Sequence, residues 1–316
     1  MCTSLTYTDT AQHPYFARTM DFPTTTPWRP IFLPRHYAWP TGLQTTRRTR
    51  YAILGGGRQP QHFNSCLMAD GINEAGLTCA ELYLPHAVHY QASTRPGAVN
   101  LTPQGFINWV LGEHTSVAAV VADLPRVNLV AKLWGGDDQV YPFHWFLCDA
   151  TGHSVVIEPT ATPLSAQANP VGVLTNTPIL AQHVHNLNRY LNVTGAQFTP
   201  ATTMAAKQWL NAHRPLPTSP LPTDRFVHTA IRRLGTPQLH SDQVKTTLLT
   251  WLAEVSLPYD ATKTNRTHNY THYRCLIDLQ AQCYTFMARQ QSQPRTIRLT
   301  ADMAANWHAP VIYQEN

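Results

Sequence analysis

From Thr3 to Thr8 polar and apolar positions alternate, and after a His13-Pro14 turn a second apolar segment runs from Tyr15 to Arg18. That pattern predicts a β-hairpin at the extreme N-terminus. Tyr51 to Leu54 reads as a further strand, ended by a turn at Gly55-Gly56-Gly57. His144 to Asp149 and Ser154 to Glu158, joined at Thr151-Gly152, predict a second hairpin; Tyr273 to Asp278 and Cys283 to Arg289 predict a third. Helical spacing fills the middle of the chain. It covers Pro103 to Leu111, Ser116 to Leu124 behind a Ser cap, Ile179 to Leu191, Thr202 to Asn211, Asp224 to Leu234 and Ser241 to Val255. No repeat is visible, and Pro215 to Pro222 reads as a stiff surface loop. Strands at both ends, helices between them and no Gly-rich phosphate turn argue against a doubly wound parallel sheet. They predict an α+β fold with packed sheets.

Composition narrows this picture. Of 316 residues, 43% are hydrophobic and 13% charged, enough apolar material for one large core or two average ones and too much for a disordered chain. The net charge of +5 is spread out. Its densest cluster, Arg47-Arg48-Thr49-Arg50, reads as a surface turn, so no nucleic-acid partner is expected. The first 25 residues carry Asp9, His13, Arg18 and Asp21 with no leader-length apolar run, and no stretch is long enough to span a bilayer. The expectation is a cytoplasmic protein without a membrane partner. Six cysteines at wide spacings, with no C-x-x-C, indicate neither zinc nor a disulfide framework, and most are expected to be buried.

Cys2 is the first candidate for chemistry. Met is removed before small residues, which would leave Cys2 at a free N-terminus. An α-amine titrates at about 7.7–8.0 and a thiol at about 8.5, so the amine can take the thiol proton at little cost. Taken alone, a cysteine at position two is more often accidental. Arg18 and Asp21 lie near it in sequence, and a guanidinium favours thiolate over thiol. Three residues apart on an extended segment, they would face opposite sides, so a turn or bulge between them is expected if both serve one site. An ordinary surface ion pair is the alternative.

Five segments in order carry a resemblance: Met1-Cys-Thr-Ser4, Phe16-Ala-Arg-Thr-Met-Asp-Phe22, Asp70-Gly-Ile-Asn-Glu-Ala-Gly-Leu77, Gly172-Val-Leu-Thr-Asn-Thr-Pro178 and Asp224-Arg-Phe226. Over about residues 1 to 290 the chain resembles the choloylglycine hydrolase family of N-terminal nucleophile hydrolases, which comprises bile salt hydrolases and penicillin V acylases. The resemblance implies a single domain over 1–316 and a four-layer αββα sandwich of two antiparallel sheets flanked by helices. It also implies hydrolysis of a linear amide through a thioester, without metal or organic cofactor. Cys2 matches the nucleophile, Arg18 and Asp21 the charged pair beside it, and Asn176 the side-chain donor of the oxyanion hole. Tyr83 falls where the family supplies a backbone N–H to that hole, and Arg225 matches a second active-site arginine. Homotetramers are common in the family, with subunit contacts tending to lie in the region from His185 to Pro222.

Tyr83 stands where family members acting on bile salts often have Asn and penicillin V acylases have Tyr. With the wording of Phe16 to Phe22, that favours a penicillin V acylase-like small-molecule amide substrate over a conjugated bile salt or an acyl-homoserine lactone. Pro23 to Trp28, Gly55 to Asn64 and Leu129 to Tyr141 are expected to be the pocket loops. Ahead of Arg225 many relatives have a Gly-rich segment where this chain is Pro-rich, which puts the setting of Arg225 in question. Three other readings are weaker. A papain-like enzyme would need a Cys–His signature that no cysteine here carries, and His268 and His272, four apart, lack further obvious ligands for a metal. A non-catalytic binding homologue would not be expected to keep every reactive position.

Overall fold

The computed structural model describes residues 2–23, 27–60, 65–133, 139–262 and 269–314. Two antiparallel sheets organise them. The first has the order Val173–Leu174, Cys2–Thr8, Pro14–Phe22, Tyr270–Asp278, Cys283–Ala288, Arg295–Arg298, so the N-terminal hairpin pairs at its centre with a strand from late in the chain. The second runs Ala166–Ala168, Ser154–Ile157, Phe143–Cys148, Thr78–Tyr83, Asp70–Asn73, Ile53–Arg58, Arg29–Leu33, Val311–Ile312, with Leu67–Met68 also paired to Ile53–Arg58.

The sheets pack face to face, as the edge-to-face contact of Phe16 and Phe146 at 5.3 Å shows. Helices Pro222–Gly235 and Ser241–Glu254 lie on the outer face of the first sheet, and Leu180–Tyr190 and Pro200–Asn211 pack against Pro222–Gly235. Phe106–Glu113 lies on the outer face of the second sheet. This is the αββα layering expected above. Each sheet buries both faces, so its strands carry few exposed positions: all of Phe143–Cys148 is buried. No helix among the described residues is long and apolar enough to cross a membrane.

The three expected hairpins form, and the expected helices start and end close to their predicted bounds. The exception is Pro103 to Leu111, which opens as a 3-10 turn at Pro103–Gly105 before the helix Phe106–Glu113. Ser116 caps its helix by accepting from Ala119 N at 3.2 Å. Arg47 belongs to a short strand, Thr46–Arg48, and grips Glu113 through two 2.6 Å bonds rather than standing in a surface turn.

The glycine turn after Leu54 is corrected by the structure. Ile53–Arg58 is one continuous strand that passes through Gly55, Gly56 and Gly57. These glycines permit close approach. A Cβ on Gly55 would lie 2.1 Å from the Asp70 carbonyl oxygen, and one on Gly56 would lie 2.3 Å from the Tyr273 hydroxyl and 2.6 Å from that of Tyr284. Both hydroxyls are committed to hydrogen bonds with Asp70, so neither can retreat freely. Gly56→Ala is therefore expected to cost about 2–3 kcal/mol of stability, as overpacking in a closed core does. Urea unfolding measures it, and a loss under about 0.5 kcal/mol would mean the tyrosines yield.

Candidate functional site

The site forms where the N-terminal strand, its hairpin partner and three returning segments converge. In the hairpin register Cys2 lies opposite Met20 and Ser4 opposite Arg18. Residues directly opposed share a face, so Cys2, Arg18 and Met20 point between the sheets while Thr3, Thr19 and Asp21 point towards the helices. Pro14–Phe22 is unbroken from Arg18 to Asp21. The turn or bulge expected between them is absent from this strand, and the pair reaches Cys2 from its two faces instead. The irregularity sits on the neighbouring strand, where the register shifts between Thr271 and Tyr273.

On the inner face, Arg18 Nη2 donates to Cys2 Sγ at 2.9 Å, with Met20 Sδ 4.0 Å from the same sulfur. The Arg18 fork is fixed on its other sides by the carbonyls of Ala69 (2.6 Å) and Thr19 (3.2 Å). On the outer face, the Asp21 carboxylate accepts from Thr271 Oγ1 at 2.6 Å and Thr19 Oγ1 at 3.2 Å. The Asp21 main-chain oxygen lies 3.9 Å from Sγ.

Arg225 comes from the first turn of Pro222–Gly235 and is buried, not a surface residue at a helix start. Its Nη1 donates to Cys2 O at 2.8 Å and to Thr3 Oγ1 at 2.6 Å, and Nη2 donates to Asn176 Oδ1 at 2.9 Å. Asp21 Oδ2 is 3.7 Å away. Burial draws this guanidinium below its ordinary range, and Asp21 and Cys2 oppose that. The Pro-rich stretch, unlike the family pattern, supplies the last anchor: Arg225 Nε donates to Pro220 O at 3.1 Å.

Asn176 follows the short strand Val173–Leu174 and joins the other groups. Its Oδ1 accepts from Cys2 N at 2.6 Å, and its Nδ2 donates to Tyr83 O at 2.8 Å. Behind it, His183 Nε2 lies 2.8 Å from Asn176 O and 3.1 Å from Thr175 Oγ1. A carbonyl only accepts, so Nε2 carries the proton. Burial pushes His183 down to about 4, which leaves it neutral at pH 7.

Tyr83 is placed by the sheet. Leu84 N donates to Pro142 O, while Phe143 N donates to the Tyr90 hydroxyl, away from Tyr83. Tyr83 and Phe143 are therefore a non-hydrogen-bonded pair of the ladder, and both backbone polar groups of Tyr83 face the side where Asn176 arrives. The five matched positions beyond Cys2 are thus brought around it, from four separate parts of the chain.

Above Cys2 opens a pocket of about 540 Å³, part of it open solvent. Phe22, Trp28, Tyr83, Tyr141 and Phe143 line it with Leu67 and Met68. Phe22 contacts Trp28 at 6.0 Å and Tyr141 at 5.7 Å, and Tyr141 stacks on Phe143 at 5.7 Å. Arg58 caps this aromatic wall, 5.4 Å from the Phe22 ring and 5.5 Å from that of Trp28. Trp28, Arg58 and Tyr141 come from the three expected pocket segments; residues 24–26, 61–64 and 134–138 of those segments lie outside the described residues.

The family model described as linear amide C–N hydrolases, choloylglycine hydrolase family, matches residues 2–313. This chain belongs to that family. The bile salt hydrolase/transferase of Lactiplantibacillus plantarum is 28% identical over 307 residues, 95% of this chain and 92% of that protein. The bile salt hydrolase/transferase of Clostridium perfringens is 34% identical over 61% of this chain, a match that spans 58% of that protein's length. Among solved structures, the C2A mutant of the conjugated bile acid hydrolase from Clostridium perfringens superposes with a TM-score of 0.83 at 26% identity, covering 100% of this chain and 97% of that one. Penicillin V acylase from Agrobacterium tumefaciens gives 0.74 at 20% identity, covering 98% and 90%, and shares the fold.

Membership makes the protein an amidohydrolase with the N-terminal nucleophile fold. It also frames what the sequence reading missed. The hydroxyls of Thr3, Thr19 and Thr271 gave no sign in the sequence that they are partners of Arg225 and Asp21. Asp70 opens one of the quoted segments, yet no role attached to it. Gln104 lines the pocket, buried, with no hydrogen-bond partner for either amide atom among the described residues. His272 Nε2 donates to Phe22 O at 3.1 Å, the one direction a carbonyl allows; His268 lies outside the described residues.

Proposed function

We propose that this choloylglycine hydrolase family member cleaves amides with Cys2 as nucleophile and the Cys2 α-amine as base. With Met1 removed, the nitrogen now 2.6 Å from Asn176 Oδ1 is an amine held on the thiol's own residue. It takes the thiol proton, and Arg18 Nη2 steadies the thiolate. Asp21, on the face away from the thiol, serves the ammonium side of this exchange. Thiolate attack on the amide carbon creates an oxyanion. The second Nδ2 hydrogen of Asn176, whose first goes to Tyr83 O, and the Tyr83 N–H would serve as its neutral donors. The ammonium then gives its proton to the departing nitrogen and the C–N bond breaks, leaving a thioester. Water, deprotonated by the same amine, releases the acid.

The aromatic wall over Cys2 is the observation that carries the substrate reading. Phe22, Trp28, Tyr141 and Phe143, with the Tyr83 ring, favour a flat aromatic acyl group such as phenoxyacetyl, as in penicillin V. The names of the relatives favour a second reading, release of glycine or taurine from conjugated bile salts. A side-by-side assay separates them. Release of 6-aminopenicillanic acid from penicillin V is expected to exceed release of the amino acid from glyco- or tauro-conjugates by at least ~10-fold in kcat/KM, the scale on which an apolar pocket discriminates. The reverse ranking assigns the enzyme to bile salts.

A further inference from the structure

Behind Arg18, on the side away from Cys2, lies a closed polar cluster that the mechanism above does not use. We propose that Asp70 is a positioning residue for Arg18, held by Tyr273 and Tyr284 so that the guanidinium meets the Cys2 thiol with its charge already matched. The proposal rests on the reading of Cys2 as nucleophile.

Asp70 Oδ2 lies 3.5 Å from Arg18 Nη1 and accepts the Tyr273 hydroxyl at 2.5 Å. Its Oδ1 accepts the Tyr284 hydroxyl at 2.7 Å and Gly56 N at 3.1 Å. All four side chains are fully buried. Both phenols are held protonated, first by burial and then by the Asp70 charge, so they remain donors. Burial by itself would lower Arg18, yet Cys2 and Asp70 together raise it. The close approach at Gly56 now has a purpose: a side chain there would occupy the space of the two hydroxyls that aim the carboxylate.

The consequence is a division of charge around Cys2. Arg18 has Asp70 on the thiol face, and Arg225 has Asp21 on the amine face. Each buried cation brings its own anion, which is what burial of a charge requires. Cys275 and Cys79 stand beside the first pair, both thiols pushed up by burial. Arg58 and Glu81 face Cys2 from across the pocket, with Tyr83 and Tyr141. Removing the Asp70 charge alone would leave Arg18 as an unmatched cation against the thiol. Thiolate would then form at lower pH but be less nucleophilic, and the guanidinium would lose one of its fixing partners.

The test compares the full-length wild type with Asp70→Asn and Tyr284→Phe. Inactivation by iodoacetamide is followed across pH, alongside kcat and KM on whichever amide the wild type turns over. Cys2 is the cysteine that lines the pocket, and neither Asp70 nor Tyr284 does. Asp70→Asn is expected to move the inactivation profile about one pH unit lower and to reduce kcat roughly 30-fold with KM within about twofold. Tyr284→Phe keeps the ring and removes one donor, and should reduce kcat about 3- to 5-fold with KM unchanged. A folded Asp70→Asn protein with the wild-type profile overturns the proposal, whatever its kcat. If Asp70→Asn does not fold, an unchanged kcat in Tyr284→Phe overturns it. If iodoacetamide leaves the wild type active, the nucleophile reading fails instead, and the two failures are distinct.

Discussion

Cys2→Ala is expected to reduce turnover by ~10⁴- to 10⁶-fold, the scale on which a covalent nucleophile and its base act together. The change removes one buried sulfur from a position that touches Arg18 and Met20, so it should cost only about 1 kcal/mol of stability. Thermal melting will show whether the loss is one of chemistry or of fold. The same experiment has a second arm in the intact mass. The mechanism needs the Cys2 nitrogen as an amine, so the active wild type must lack Met1. An active enzyme that retains Met1 removes the α-amine from the mechanism, and a fully active Cys2→Ala enzyme removes the nucleophile.

Why Cys2 could be singled out from sequence, while its surroundings could not, follows from the physics of each signal. A cysteine after the initiator can be noticed at one position, though it gains weight only from the segments that resemble the family. The hairpin it starts also announces itself locally, through alternation and a turn, and most helices show their apolar spacing and caps. Arg18 and Asp21 were legible as residues, but their geometry was not. An expected turn or bulge between them assumed that one site must lie on one face of a strand. Arg18 meets the Cys2 thiol on one face while Asp21 lies beside Arg225 on the other, and a straight strand serves both. The Gly55-Gly56-Gly57 run was misread for a related reason. Glycine marks both turning and crowding, and crowding depends on Asp70, Tyr273 and Tyr284, which are distant in sequence. Short buried strands such as Asp70–Asn73 and Thr78–Tyr83 lack a period that sets them apart.

The Pro-rich stretch shows the opposite case, where a departure from the family looked like a threat to the site. Its carbonyls take up donors from the helix that follows: Pro220 O accepts from Arg225 and Pro217 O lies 2.9 Å from His228 Nδ1. A stiff loop with no N–H at its prolines presents acceptors and little else. It can therefore seat a buried arginine as well as a Gly-rich loop could.

Asn176→Ala carries the second large effect. In the native site the Asn176 side chain has three bonds: Oδ1 accepts from Cys2 N and Arg225 Nη2, and Nδ2 donates to Tyr83 O. In the proposed mechanism the remaining Nδ2 hydrogen meets the oxyanion, and it is worth most when charge has developed there. Truncation is therefore expected to lower kcat by ~10²–10³-fold and to leave KM nearly unchanged, because a donor aimed at the transition state contributes little to ground-state binding. The lost acceptor should also cost about 1–3 kcal/mol of stability, since Cys2 N and Arg225 Nη2 lose a buried partner. Asn176→Asp separates the two contributions. It keeps an acceptor for both donors but sets its second oxygen against the Tyr83 carbonyl and puts negative charge where the oxyanion forms, so stability should return only in part while kcat stays at or below that of Asn176→Ala. Recovery of kcat in Asn176→Asp would mean that Asn176 serves the Cys2 nitrogen alone, and the oxyanion would then rest on the Tyr83 N–H.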